Sequence, residues 1–308
     1  MLLPPILLTA AVLFCLGAAV ARAWRYARQP AHLRWELYPV AHERGRAGYG
    51  GSHLEEPEHW RQPRRPDHAA SLRAMAAEVV LLEGVRRHNR PLWRWSWPFH
   101  LGVYLLLAWL LVMLVGGVLQ ASIGAVPAAL VWGLDLLGFA ALGLGLWGAG
   151  GLLWRRWRDP ALRTLSGPAE RAGLALWILY LGWTLARHAP GGTFEPLLAV
   201  AAGLVVLDPA PVAWPLAVEM LLGAGLLVMI PLTRQFHAVA KYFLYHRVRW
   251  DDAPTPPGSA LERRLARALD FGVAWQAPHV AGARNWSEAT AHPTGSRDGR
   301  PTAGEEER

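Results

Sequence analysis

Cysteine is almost missing from this chain: of 308 residues only Cys15 carries a thiol. One cysteine excludes an internal disulfide, a cysteine-ligated iron–sulfur cluster and a CxxCH site for covalent haem. Any redox centre held by this chain must then rest on histidine or belong to another subunit. Acidic residues are scarce beside basic ones, 23 against 31, for a formal charge of +8. No phosphate loop, GxGxxG turn or internal repeat is found, so no nucleotide-binding signature is present. Long stretches also lack charge altogether, which excludes an ordinary soluble domain.

What the chain does have is apolar length: 53% hydrophobic residues and 17 tryptophans. A bilayer core of about 30 Å needs about 20 apolar residues per helix. Five segments qualify: Leu2 to Ala21, Pro98 to Leu119, Ala128 to Leu153, Ala172 to Leu185 with its flanks, and Val212 to Leu232. A sixth, Leu197 to Leu207, is too short to span and reads as re-entrant or interfacial. The expected fold is an all-α, polytopic five-helix transmembrane bundle. Its divisions are a first helix over 1–23, a loop over 24–97 and helices two to five over 98–233. A partner-docking extension over 234–289 and a disordered tail over 290–308 follow.

Lys plus Arg number 14 between Ala21 and Trp97, 5 between Leu152 and Arg171, and 11 from Arg234 onward. Only Arg187 falls in the other connections. The positive-inside rule puts the N-terminus outside and the C-terminus in the cytoplasm of a cytoplasmic (inner) membrane protein. AVARA at Ala19 to Ala23 resembles a signal-peptidase site, but Met1 to Leu8 carries no basic residue, so a retained helix is expected. The bilayer accounts for the basic balance, and no nucleic-acid partner is expected. Between Pro66 and His88, Leu72, Met75, Val79 and Leu82 recur at helical spacing, an amphipathic helix for the membrane, a partner or the chain itself. Leu261, Leu265 and Leu269 repeat the pattern nearer the C-terminus.

Ionisable residues in or beside spanning helices are costly and point to function. His100, Asp135, His188, Glu219 and His237 meet that test. His100 opens the second helix, running outward, and His237 closes the fifth, running inward, so both lie at the cytoplasmic face. The segment LTRQFHAVAKYFLYHRVRW, from Leu232 to Trp250, reads as one helix continuing past the membrane. Two imidazoles at one depth suit the two axial positions of a haem iron, with small residues such as Gly102 and Ala238 or Ala240 admitting the macrocycle. His246 lies beyond the apolar zone. His188 lies across the membrane from that pair. Asp135 and Glu219, in the outer third, either accept protons from a quinol or reach the interface.

Three stretches, WELYPVAHERGRAGYGGSHLEEPE (Trp35 to Glu58), WPFHLGVYLLLAW (Trp97 to Trp109) and PLTRQFHAVAKYFLYHRVRWDD (Pro231 to Asp252), together resemble the gamma-type membrane cytochrome b family. That family includes the gamma subunit of respiratory nitrate reductase and related membrane cytochromes of heterodisulfide-reductase-like or sulfate-reducer complexes. The similarity extends to AWQAPHVAGARNW, Ala274 to Trp286. The resemblance implies a haem b subunit of a quinol-dependent oxidoreductase with no complete active site of its own. It would pass electrons between menaquinone or ubiquinone and a cytoplasmic iron–sulfur subunit. His100 and His237 match the family's haem histidines. Positions that bear a second pair in two-haem members are Leu110 and Glu219 here, so one haem b is expected, on the cytoplasmic side. Relatives often carry histidine where Arg234 stands. Arg234, Lys241 and Arg247 would serve the haem propionates. The alternative is a haem-free membrane anchor or transporter-like protein, for which internal repeats and broken helices are not evident.

Overall fold

The computed structural model describes residues 1–29, 40–41, 43, 52–59, 66–244, 257–274 and 283–291. His246, Arg247, the 251–256 linker and the tail beyond Ala291 lie outside the described residues. The chain divides into two compact units, one of 1–27 with 68–245 and one of 28–67 with 246–308. Among the described residues structure is helical, apart from the isolated bridges Glu43–Pro66 and Gly272–Asn285.

The first unit contains α1 (Leu3–Arg28), α2 (His68–Leu81), α3 (Glu83–His88), α4 (Arg90–Ile123), α5 (Ala128–Arg158) and α6 (Pro160–Leu165). It continues with α7 (Pro168–His188), α8 (Pro196–Val205), α9 (Trp214–Leu232) and α10 (His237–Leu244). Four of these, α1, α4, α5 and α9, are long and apolar enough to cross a membrane. α7 has 21 residues and bears Glu170, Arg171 and Arg187 near its ends. α8 has ten residues and is too short to span.

α4 begins at Arg90, eight residues before the charge-free run. Asn89 starts it by accepting from the Leu92 N–H at 3.1 Å, with Pro91 in the first turn. At 34 residues it is about 51 Å long, so one end projects beyond a hydrocarbon core. Gly124 ends it at φ +70°, returning its N–H to the Gln120 carbonyl, a left-handed conformation that glycine adopts without strain.

α4 and α5 meet backbone to backbone. A Cβ on Gly102 would lie 2.4 Å from the Gly145 nitrogen, and one on Gly148 2.4 Å from the Phe99 nitrogen. One on Gly151 would enter the Trp95 ring at 1.9 Å. In lipid, where apolar side chains gain nothing by leaving one another's company, small residues bind helices by close van der Waals approach. The smallness of Gly102 is therefore spent on α5, not on room for a macrocycle. Around this seam Trp109, Leu134, Leu142, Trp177, Leu181 and Phe194 form the main core, and α8 adds Leu197 and Leu198.

α9 does not run on into α10, contrary to the continuous helix read from Leu232 to Trp250. Pro231 sits in its last turn, Thr233 is extended at φ −115° and ψ −176°, and a 3-10 turn, Arg234–Phe236, intervenes. Thr233 Oγ1 accepts from the Gln235 N–H at 3.3 Å, and Arg22 of α1 bonds the Pro231 carbonyl with its guanidinium over Phe236. Backbone groups freed by the break thus acquire partners, as a broken membrane helix requires.

In the second unit, Glu43 is buried and accepts from Val40 N–H, Ser52 Oγ and His53 Nδ1 at 3.0, 2.7 and 2.6 Å. A short helix, α11 (Ala260–Leu269), opens with Ser259 accepting from Glu262 N–H while Glu262 accepts from Gly258 N–H. α12 (Trp286–Ala291) follows.

Gly102→Val is expected to destabilise the bundle by about 1–3 kcal/mol, because the added atoms meet backbone. Gly143→Ala, with open space at its Cβ, is expected to be neutral or slightly stabilising. Thermal unfolding of the two variants in one detergent checks the contrast.

Candidate functional site

Opposite faces of α4 do different things. Trp95, Phe99, Gly102 and Leu106 turn to the core, while Trp93, Trp97, His100 and Tyr104 share the other face at helical spacing. His100 Nδ1 lies 2.6 Å from the Ser96 carbonyl oxygen. A carbonyl only accepts, so Nδ1 carries a proton, and in the neutral ring Nε2 is the atom with the lone pair. His237 repeats the arrangement, with Nδ1 3.1 Å from the Arg234 carbonyl oxygen. The two rings are neighbours, centroids 5.8 Å apart at an interplanar angle of 71°.

Two imidazoles on one metal, with bonds of about 2 Å, have centroids roughly 6 Å apart. The observed spacing, with each Nδ1 bonded to a carbonyl, would allow His100 and His237 to hold one metal ion between them through Nε2. His237 is exposed and His100 half-buried, so the pair is reachable from outside the core.

Two of the three cations expected beside them, Lys241 and Arg234, are already engaged. Lys241, one turn beyond His237, pairs with Glu78 of α2, and Arg234 pairs with Glu170 at 3.0 Å. Glu78 is 5% exposed and also accepts from the Gly84 N–H at 2.7 Å. Sequence reasoning missed Glu78, although an acid alone in the second half of an otherwise apolar and basic helix was a signal. It also missed three donors on the His100 face. Trp93 Nε1 donates to the Leu81 carbonyl at 2.8 Å, Trp97 Nε1 to that of Val80 at 3.1 Å, and Tyr104 OH to that of Val79 at 2.7 Å.

The remaining three candidates meet at the other end of the bundle. Asp135 Oδ1 of α5 accepts from Phe194 N–H at 2.7 Å and Thr193 Oγ1 at 3.1 Å. The Thr193 carbonyl takes His188 Nδ1–H at 3.1 Å, and His188 Nε2 accepts from Arg187 Nη2 at 2.7 Å. Arg187 Nε donates to Glu219 Oε2 at 2.5 Å, and that oxygen is 3.5 Å from His188 Nε2. Asp135, His188 and Glu219 thus form one network through Thr193 and Arg187. Glu219 is 6% and His188 5% exposed, so neither simply reaches the interface. Leu110, by contrast, is 45% exposed on the outer side of α4.

Beside the network, Trp109 Nε1 and Thr184 Oγ1 are buried without hydrogen-bond partners. They border a crevice shared with Tyr180, Gly138 and Phe194 that is too tight for a water molecule. Among the described residues no group of three or more His, Cys, Asp or Glu is gathered to hold a metal ion. No family model, no curated protein and no solved structure matches the chain.

Arg187→Leu strands the Glu219 carboxylate and is expected to cost up to about 3–5 kcal/mol, more than Glu219→Gln, by unfolding in detergent. Thr184→Val removes an unpaired hydroxyl at constant shape and is expected to stabilise by about 1 kcal/mol. A drop in melting temperature instead would reveal a partner for that hydroxyl.

Proposed function

We propose that this chain is a five-span membrane subunit that binds one haem b through His100 and His237 and passes electrons between the quinone pool and a cytoplasmic iron–sulfur subunit. The observation that carries the reading is the pair of adjacent imidazoles whose Nδ1 atoms both donate to main-chain carbonyls. Two histidines, with no third His, Cys, Asp or Glu grouped with them among the described residues, would suit an ion held chiefly by a macrocycle. Haem, when bound, supplies a one-electron carrier; the chain contributes ligand orientation and a partly apolar surround. α7 is the fifth span in this reading, with Arg187 neutralised by Glu219 where it enters the apolar layer.

Quinol oxidation releases two protons with its two electrons. The Glu219 carboxylate is the proton-accepting group at the far end, and Asp135 is linked to it through Thr193, His188 and Arg187. Menaquinol and ubiquinol both suit such chemistry. The loop 24–97 and the segment 234–289 are the partner-docking regions on this reading, at the cytoplasmic face of the inner membrane. The resemblance of Trp97 to Trp109 and Pro231 to Asp252 to the gamma-type cytochromes supports the same assignment.

A haem-free anchor is the second reading. It is favoured by the ion pairs that already occupy Arg234 and Lys241, the cations a propionate would need.

The full chain purified with haem available should show a reduced b-type spectrum with close to one haem per chain. His100→Ala and His237→Ala should each lose it, and added imidazole should partly restore it in the variant. A wild-type chain without a haem spectrum, or an unchanged spectrum in both variants, overturns the assignment.

A further inference from the structure

α2 has its polarity reversed. Of its last six residues, Ala76, Val79, Val80 and Leu81 are exposed, with Val80 52% open, while Glu78 is turned inward onto Gly84 N–H and Lys241. Leu72, a turn and more earlier, is 71% exposed. A helix on a water-facing surface does the opposite, hiding its apolar stripe and showing its charges. Charged residues that face the protein while aliphatic ones face outward are the mark of a lipid-contacting helix.

The backbone gives a second, independent argument. The last four carbonyls of a helix lack partners within it. Here those of Val79, Val80 and Leu81 receive Tyr104 OH, Trp97 Nε1 and Trp93 Nε1. Water would satisfy such carbonyls at no structural expense, but hydrocarbon cannot, and each one left bare there costs several kcal/mol. Tyr104 lies six residues inside the charge-free run that starts at Pro98, about 9 Å deep at its Cα and less at its hydroxyl, since helical side chains lean towards the N-terminus. That matches the roughly 5–10 Å by which an interfacial helix enters the headgroup and acyl boundary. Polar residues bracket the apolar end: His68 and Arg73 precede it, and after Leu82 turns the chain at φ 50° come Arg86, Arg87 and Arg90, all exposed and suited to headgroup phosphates.

We propose that the C-terminal half of α2 is seated in the acyl-chain boundary of the bilayer, with lipid as the occupant of its outward face. The face is continuous in character with the lipid-exposed side of α4; Tyr104 holds the Val79 carbonyl at that depth, while Trp97 and Trp93 tie those of Val80 and Leu81 nearer the headgroups. This inference requires only that α4 spans the membrane.

Nitroxide labels test it on the full chain in lipid nanodiscs. In a Cys15→Ser background, labels at Leu72→Cys, Val80→Cys and Arg86→Cys are read by collision with oxygen, which concentrates in hydrocarbon, and with a water-soluble nickel chelate. At Val80 oxygen should outpace nickel several-fold, the excess should shrink at Leu72, and nickel should dominate at Arg86. Nickel dominance at Val80 would mean a water-facing helix, and exclusion of both reagents would mean a covering protein; either result overturns the proposal. Ala76→Cys, on the same face, repeats the measurement if the Val80 label disturbs folding.

Discussion

The contact between the α4 and α5 backbones is the constraint from which the rest follows. Gly102 against Gly145 and Gly148 against Phe99 allow no side chain between them, so α4 cannot rotate about its axis. With one face fixed on α5, the opposite face must carry Trp93, Trp97, His100 and Tyr104 away from the core. That face meets α2 through three main-chain carbonyls and α10 through the ring of His237. The seating of the histidine pair is therefore decided by glycines that touch neither ring.

The two ends of the bundle use one device for different ends. His100, His188 and His237 all bring Nδ1 to a main-chain carbonyl, which orients each ring and makes Nδ1 the donor. At one end Arg187 donates to His188 Nε2 and to Glu219, giving a polar knot in which His188 and Glu219 are buried. At the other, two rings face each other's neighbourhood and the nearby cations are held by carboxylates. The first arrangement can hold charge and protons; the second leaves donor atoms for an added ligand.

Most of the architecture was legible in the sequence because lipid imposes a simple rule: charge-free runs of sufficient length become helices. The runs that hold α1, α4, α5 and α9 declared themselves in this way, and the brevity of Leu197 to Leu207 marked α8 as a helix that stops short. The nearness of His100 to His237 was suggested by helix direction and depth together with the family resemblance. Less was readable where a residue's role depends on what it touches. Nothing in composition says that Glu78 turns inward, that Arg234 meets Glu170, or that Asp135, His188 and Glu219 join through a threonine, since those links cross between helices. The break at Thr233 was obscured because apolar periodicity carries on across it, and only the backbone angles and the cap reveal the stop. Gly102 was legible as a small residue but not as a partner of Gly145, because one helix face looks like another until its neighbour is known.

The tie between α2 and α4 has an asymmetry with an evolutionary reading. Val79, Val80 and Leu81 contribute carbonyl oxygens, which every amino acid supplies, whereas Trp93, Trp97 and Tyr104 contribute side-chain donors that few residues can replace. Substitution can accumulate on the α2 side so long as the helix survives and stays apolar, but the α4 side has almost no freedom. Related chains would thus keep the aromatic ladder while the helix it holds drifts beyond recognition, and an alignment would mark the holder instead of the held.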